Sequence, residues 1–155
     1  MMVLYEDKQK EVAKDIMLVD WQCITRASPL HDIGPLFYST APKDALDNDR
    51  DYMEVYYDEL SKRIKELGSD PETVYPHSEF EKDRNSYGFF CFGFALTGIK
   101  GMLTKRENAP DLTERLKADD QSALETMFTD VADNVDEWMF RTKYLARHFI
   151  SLGIL

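Results

Sequence analysis

The segment with the clearest chemical potential is an apolar run that ends in a carboxylate. The stretch 16–19 is apolar, Asp20 follows it, and an aromatic residue and the amide of Gln22 come next. A strand end is a rigid place for a metal ligand, and phosphoryl transfer needs oxygen ligands that hold Mg²⁺ beside nucleotide phosphates. The pattern therefore indicates Asp20 as a candidate metal ligand. The alternative, an ordinary turn aspartate after a strand, is favoured by the spacing alone.

The three histidines have simpler explanations than catalysis. His31 precedes Asp32, but adjacent side chains on a helix diverge, so we expect a solvated or capping histidine. His77 follows a proline in a predicted turn, where exposure is expected. His148 belongs to a basic cluster near the end of the last predicted helix, where cations suit the helix dipole.

Charge and cysteine content narrow the class of protein. The 155 residues include 19 basic and 29 acidic side chains, which gives a formal net charge of −10. A surface this acidic repels phosphate backbones and anionic lipids, which argues against nucleic-acid and membrane-surface partners. The two cysteines, Cys23 and Cys91, lie far apart and indicate no zinc site or disulfide framework. Together with the lack of a leader-like N-terminus, they predict a cytoplasmic protein, with Cys91 in the core.

The elements that must position Asp20 are predicted from apolar periodicity. Two apolar runs, 1–5 and 16–19, flank a polar connection, which is typical of a β-hairpin. After the hairpin, apolar residues recur at steps of three and four, which predicts helices over 30–39, 45–67, 79–103 and from about 120 to 152. Pro35 must then lie in the first turn of its helix. A lone hairpin is marginal, so its apolar faces need a cover from the helices or from something outside the chain.

Several short motifs follow one another along the chain. They are Met1-Met2, a charged turn at 6–8, Asp20-Trp21-Gln22, Ser28-Pro29 with Asp32 three residues later, and Ala109-Pro110-Asp111-Leu112. Their order resembles the ecdysteroid kinase-like (CHK kinase-like) branch of the choline kinase and aminoglycoside phosphotransferase superfamily. In that branch a catalytic loop of the form His-Gly-Asp-x-Trp-x-x-Asn precedes them. The resemblance covers this chain but only the C-terminal part of a complete family member.

The resemblance implies a role for each of three side chains. Asp20 matches the aspartate that binds Mg²⁺, and Gln22 adjoins the metal and cofactor site. Asp32 matches an aspartate that supports the catalytic loop through hydrogen bonds to its backbone. The family's catalytic aspartate, second metal ligand and nucleotide-clamping lysine would lie before Met1, so the chain has no assigned catalytic residue. ATP and Mg²⁺ are the cofactors of a complete member, and we expect neither to bind this chain tightly by itself.

These expectations define one partial domain over 1–155. Residues 1–22 would form the hairpin that ends in the metal-site motif, and residues 28–155 the helical part of a protein-kinase-like C-lobe. The expected function is that of a C-terminal lobe fragment of an ATP-dependent kinase, inactive alone, whose substrate is a small-molecule alcohol such as a steroid or a choline-like compound. The alternatives are a stand-alone helical binding or interaction protein derived from such a lobe, and a fragment without an independent role. Surface left exposed by a missing lobe predicts self-association.

Overall fold

The computed structural model describes residues 2–19, 26–108 and 132–155. Within these residues the elements follow one another as β1 (Met2–Tyr5), β2 (Ala13–Met17), α1 (Leu30–Thr40), α2 (Lys43–Asp47), α3 (Asp49–Glu66), α4 (Pro71–Val74), α5 (His77–Met102) and α6 (Val135–Ser151). The described part is thus mainly helical with a short N-terminal β-hairpin, which confirms this part of the predicted fold class. The beginning of the last predicted helix lies outside the described residues.

The hairpin pairs β1 and β2 antiparallel, with Met2 opposite Met17. β2 begins at Ala13, three residues before the apolar run, because hydrogen bonding to β1 rather than apolarity decides where the strand begins. Apolar side chains on both faces of the hairpin are each more than half exposed: Met2, Leu4, Ile16 and Met17. The described helices therefore leave this part of the predicted apolar surface uncovered.

The predicted helix over 45–67 is two helices separated by Asn48. The Asn48 backbone leaves the helical region at φ −119°, and its side-chain amide donates a hydrogen bond to the Asp44 carbonyl over 2.8 Å. Asparagine side chains commonly compete in this way with the helical hydrogen-bond pattern. α3 then begins at Asp49, which is buried, and ends before Gly68, whose φ of 84° makes it the stop that the sequence predicted.

α1 begins at Leu30 as the sequence predicted, but the prediction for Pro35 is wrong. Pro35 lies in the interior of α1 and is buried, whereas the prediction placed it in the first turn. The helix begins at Leu30 because the Ser28 hydroxyl accepts the Leu30 N–H over 3.2 Å. A proline has no N–H, so Pro35 offers no donor to the carbonyl of His31 one turn earlier.

α1 and α5 pack closely because small residues line the contact between them. The buried face of α5 runs through Phe80, Gly88, Cys91, Ala95 and Ile99. Two aromatic residues of the same helix, Phe90 and Phe94, are exposed beside the contact. Where the two backbones approach, Gly34 faces Cys91 and Gly98 faces Ser39, so a large ring does not fit between them.

We expect Gly34→Ala to lower the free energy of unfolding by about 1–3 kcal/mol, the usual cost of overpacking a core. A Cβ on Gly34 would overlap Sγ of Cys91, which is itself fully buried and cannot swing away. Gly93→Ala is the matched control, because a Cβ there meets nothing within 4 Å and should stabilise α5 by about 0.5–1 kcal/mol. Urea denaturation of both variants tests the expectation. Equal stabilities would show that α1 and α5 are farther apart than described.

α6 completes the described core through two fully buried side chains, Leu145 and Phe149. Gly153, at φ 73°, then reverses the chain, and the Ile154 side chain packs against Gly88 of α5. A Cβ on Gly88 would lie 2.5 Å from Cδ1 of Ile154, so a larger residue at this position would force the Ile154 side chain to shift. None of the helices in the described ranges combines the length and the apolar character that a membrane-spanning helix needs.

Candidate functional site

Two of the three predicted site residues fall outside the part of the chain that the structure describes. β2 ends at Met17, and Leu18 and Val19 are the last described residues before the gap. The candidate metal ligand Asp20 and the candidate cofactor contact Gln22 lie within 20–25, outside the described residues. Their roles stay predictions.

Asp32, the third predicted site residue, lies in the first turn of α1, where a carboxylate suits the helix dipole. Its side chain is 89% exposed, and its Oδ1 lies 4.0 Å from Nδ1 of His31. On α3, burial raises the pKa of the Tyr56 phenol, and the nearby Asp32 carboxylate raises it further. Asp32 is thus accessible to a further partner, and its predicted support of a catalytic loop stays a prediction.

The Ser28-Pro29 motif is fixed to the helical region by a hydrogen-bond chain. Besides accepting the Leu30 N–H, the Ser28 hydroxyl lies 3.2 Å from the Tyr75 hydroxyl. The Tyr75 hydroxyl donates to Asp83 on α5 over 2.6 Å, and its pKa is raised by burial and by this carboxylate. The chain holds the beginning of α1 against α5 and so fixes where the segment that follows the hairpin enters the helices.

His31 packs against an aromatic surface, whereas the sequence predicted a solvated or capping histidine. Its ring stacks on Phe90 of α5, with centroids 4.7 Å apart and planes 14° from parallel, and the edge of Tyr87 lies nearby. α1 and α5 approach closely, so the first turn of α1 lies over the aromatic rings of α5 that flank the contact between the two helices. His31, Phe90 and the exposed Phe94 form an accessible aromatic surface next to Asp32.

A buried charge cluster, which sequence reasoning missed, centres on Asp49. Its Oδ2 accepts a hydrogen bond from the Tyr38 hydroxyl over 3.1 Å and one from Nη2 of Arg84 over 3.2 Å. Nε2 of His148 lies 3.2 Å from the same oxygen, at ion-pair distance but without hydrogen-bond alignment. Burial opposes the charge on Asp49, yet the contacts with His148, Arg84 and Tyr38 outweigh it and hold its pKa below the ordinary value.

His148 lies in the last turn of α6, near the helix end where the sequence predicted it. Its burial against Asp49 was not predicted. Cys91 lies in the core as predicted, and burial raises the pKa of its thiol to about 11. A thiol with this pKa stays protonated at neutral pH and is a packing residue rather than a nucleophile.

The described residues do not by themselves provide a site for Mg²⁺ and ATP. Mg²⁺ requires several oxygen ligands in near-octahedral geometry, usually carboxylates together with phosphates and waters. Of the predicted set, only Asp32 can be located, and one exposed carboxylate does not form such a site. The described geometry therefore supports no chemical step through a bound nucleotide.

The N-terminal part of the chain matches the sequence model of one protein family. The matching family is the Ecdysteroid kinase-like family, whose sequence model matches residues 1–69. This match confirms the resemblance seen in the motifs, over a range that includes the hairpin, α1, α2 and α3. Comparison with curated proteins and with solved structures gave no match.

Proposed function

We propose that this chain is the C-terminal lobe portion of an ATP-dependent phosphotransferase that acts on a small-molecule hydroxyl group, and that it is inactive without the preceding lobe. The match of residues 1–69 to the Ecdysteroid kinase-like family carries the proposal. In complete kinases of this kind, ATP and Mg²⁺ are held between two lobes. The proposal assigns Asp20 to the metal, Gln22 to its surroundings and Asp32 to support of the catalytic loop.

The exposed apolar side chains of the hairpin support this proposal. Both faces of β1 and β2 carry apolar residues that the described helices leave in contact with solvent. A preceding lobe that packed on the hairpin would cover them and bring its own phosphate-binding groups next to the end of β2. Without such a cover, the same surface favours self-association of the isolated chain.

The aromatic surface beside Asp32 fits the proposed class of acceptor. His31, Phe90 and Phe94 present ring faces and edges next to the first turn of α1. Rings of this kind bind flat apolar molecules or quaternary ammonium groups well. A steroid alcohol and a choline-like alcohol are therefore the two substrate classes to test first.

The transcript and its product test the proposal. We expect the reading frame to continue upstream of Met1 through a His-Gly-Asp segment, and the longer product to transfer phosphate from ATP to an alcohol. Asp20→Asn in that product should lower kcat by about 10²–10³-fold, the scale of losing one charge-stabilising group. Asp15→Asn, on the exposed face of β2, is the control and should leave kcat unchanged. Coupled detection of ADP measures both variants.

Two results would contradict the proposal. Tight binding of Mg²⁺ and ATP by the isolated chain in calorimetry would show that it is not an incomplete site. An unchanged kcat in the Asp20→Asn variant would remove the metal role from Asp20.

A second candidate function, a stand-alone interaction protein, is favoured by an apolar groove between α5 and α6. The groove has a volume of about 750 Å³ and is lined by Phe92, Leu96, Trp138, Met139 and Phe140, among others. Met139 and Phe140 are more than half exposed. An in-frame stop directly upstream of Met1, with a strictly monomeric and cooperatively unfolding chain in sedimentation and melting experiments, would support this candidate over the kinase lobe.

A further inference from the structure

A histidine and two glutamates from two helices come together at the beginning of α5. His77 and Glu81 lie one turn apart on α5, so their side chains share a face of the helix. Glu54 of α3 points at them, with Oε2 at 2.9 Å and Oε1 at 3.2 Å from Nε2 of His77. One ligand atom from each of the three residues lies within 4.8 Å of the other two.

The supports of this cluster are rigid. Met53 and Phe80, the neighbours of Glu54 and Glu81 in sequence, are fully buried and fix the two helices. The His77 ring meets Tyr57 edge to face, with centroids 4.8 Å apart, and lies 6.2 Å from the ring of Phe80. Packing therefore sets the direction of the imidazole, which is what a preformed ligand site requires.

The cluster is shielded in part but open to an ion from solvent. The side chains of His77, Glu54 and Glu81 are 41%, 36% and 33% exposed. Arg84 donates to Oε1 of Glu81 over 2.9 Å, and a carboxylate has a second oxygen that can face an ion at the same time. Arg84 would then hold the Glu81 carboxylate in a fixed orientation, as residues hydrogen-bonded to metal ligands generally do.

We propose that Glu54, His77 and Glu81 form a binding site for a divalent transition metal ion, with Zn²⁺ as the best fit. An imidazole nitrogen with two carboxylate oxygens is a donor set that zinc accepts, whereas Mg²⁺ and Ca²⁺ prefer oxygen ligands alone. Three protein ligands leave a coordination position for water or another small ligand. The three ligands do not include Asp20, the Mg²⁺ ligand expected from the kinase resemblance, and the proposal does not depend on the proposed function.

Metal binding would require small movements of the three side chains. Zinc lies about 2.0–2.2 Å from nitrogen and oxygen ligands, so ligand atoms up to 4.8 Å apart must approach one another. Nε2 of His77 and Oε2 of Glu54, which lie 2.9 Å apart, must instead separate slightly to admit the ion. The two glutamates can do this by changing rotamers, because their side chains are flexible and partly exposed. The ion would also tie α3 to α5 and so stabilise the chain against unfolding.

The experiment is titration of the purified chain with Zn²⁺ by calorimetry and with Co²⁺ by visible absorption. We expect one site that His77→Ala, Glu54→Gln and Glu81→Gln each weaken by about tenfold or more, at least the loss seen when outer-shell partners are removed. His31→Ala is the control and should bind as the unchanged chain does. The three variants should keep the circular dichroism spectrum of the unchanged chain, and Zn²⁺ should raise the melting temperature of the unchanged chain and of His31→Ala more than that of the three variants.

Three outcomes would overturn the proposal. The first is no binding by the unchanged chain at millimolar metal, which would leave Glu54 and His77 as a simple ion pair. The second is undiminished affinity in Glu54→Gln, which conserves shape and is the variant least able to disturb folding. The third is an equal loss in His31→Ala, which would place the ion elsewhere.

Discussion

Asp49→Asn should lower the free energy of unfolding by about 3–5 kcal/mol, the range found when one partner of a buried ion pair is removed. The substitution keeps the shape of the side chain but removes the charge at which Tyr38, Arg84 and His148 converge. Arg84 would then be a buried cation with only Glu81 to balance it, and its Nε already has no hydrogen-bond partner among the described residues. Denaturation in urea at neutral pH measures the loss.

Asp47→Asn is the control for this prediction. Asp47 carries the same charge two residues earlier, but it is 58% exposed and pairs with Lys43 on the surface of α2. Such pairs contribute about 0–1 kcal/mol, so the control should change stability little. Similar losses in the two variants would mean that the charge of Asp49 is not buried with its partners.

The pH dependence of the free energy of unfolding is a second test of the predicted contribution of Asp49. The pKa of Asp49 is lower in the folded chain than the ordinary value of 3.8. Its contribution is therefore complete above pH 3.8 and is lost as the pH falls through the lower folded value. The stability difference between the unchanged chain and Asp49→Asn should be constant near neutrality and shrink in acid. A difference that grew in acid would show that the sign of the shift is wrong.

The sequence predicts local elements well where one signal dominates. The hairpin is predicted by two apolar runs around a polar turn. The end of α3 is predicted by Gly68, because glycine takes a φ of 84° without the strain that other residues would suffer. The order of motifs from Met1 to Asp32 predicted the family that matches residues 1–69. These signals lie within short stretches of chain, so no tertiary information is needed to interpret them.

The missed features depend on tertiary packing. Asp49, Arg84 and His148 lie on three different helices, and no spacing in the sequence relates them. The break at Asn48, which turns Asp49 inward, depends on a side-chain hydrogen bond inside a segment with continuous helical periodicity. The four-residue step from His77 to Glu81 was a readable signal, but Glu54 joins it only because α3 and α5 are neighbours. The small residues that α5 buries against α1 were hidden among larger aromatic ones.

The last helix, α6, lies beyond the residues that match the family. A variant in α6 therefore tests whether this part of the chain folds together with the rest. Phe149→Ala should lower the free energy of unfolding by about 3–5 kcal/mol, the usual cost of removing a buried phenylalanine. The Phe149 ring is fully buried between Tyr38 of α1 and Phe92 of α5, with centroids 4.8 and 5.4 Å away. The cavity left by the ring would open where α6 meets both helices, so little could move in to fill it.

Phe140→Ala makes the same chemical change on an exposed face of the same helix. The Phe140 ring contacts Tyr144 edge to face and otherwise borders the apolar groove, so its loss should cost less than about 1 kcal/mol. Chemical denaturation of the two variants side by side separates core packing from helix propensity, because both replace phenylalanine by alanine on α6. A large loss in Phe149→Ala alone requires α6 to unfold together with α1, which lies inside the family match. Equal small losses would instead show that the C-terminal helix is not part of the same folded unit.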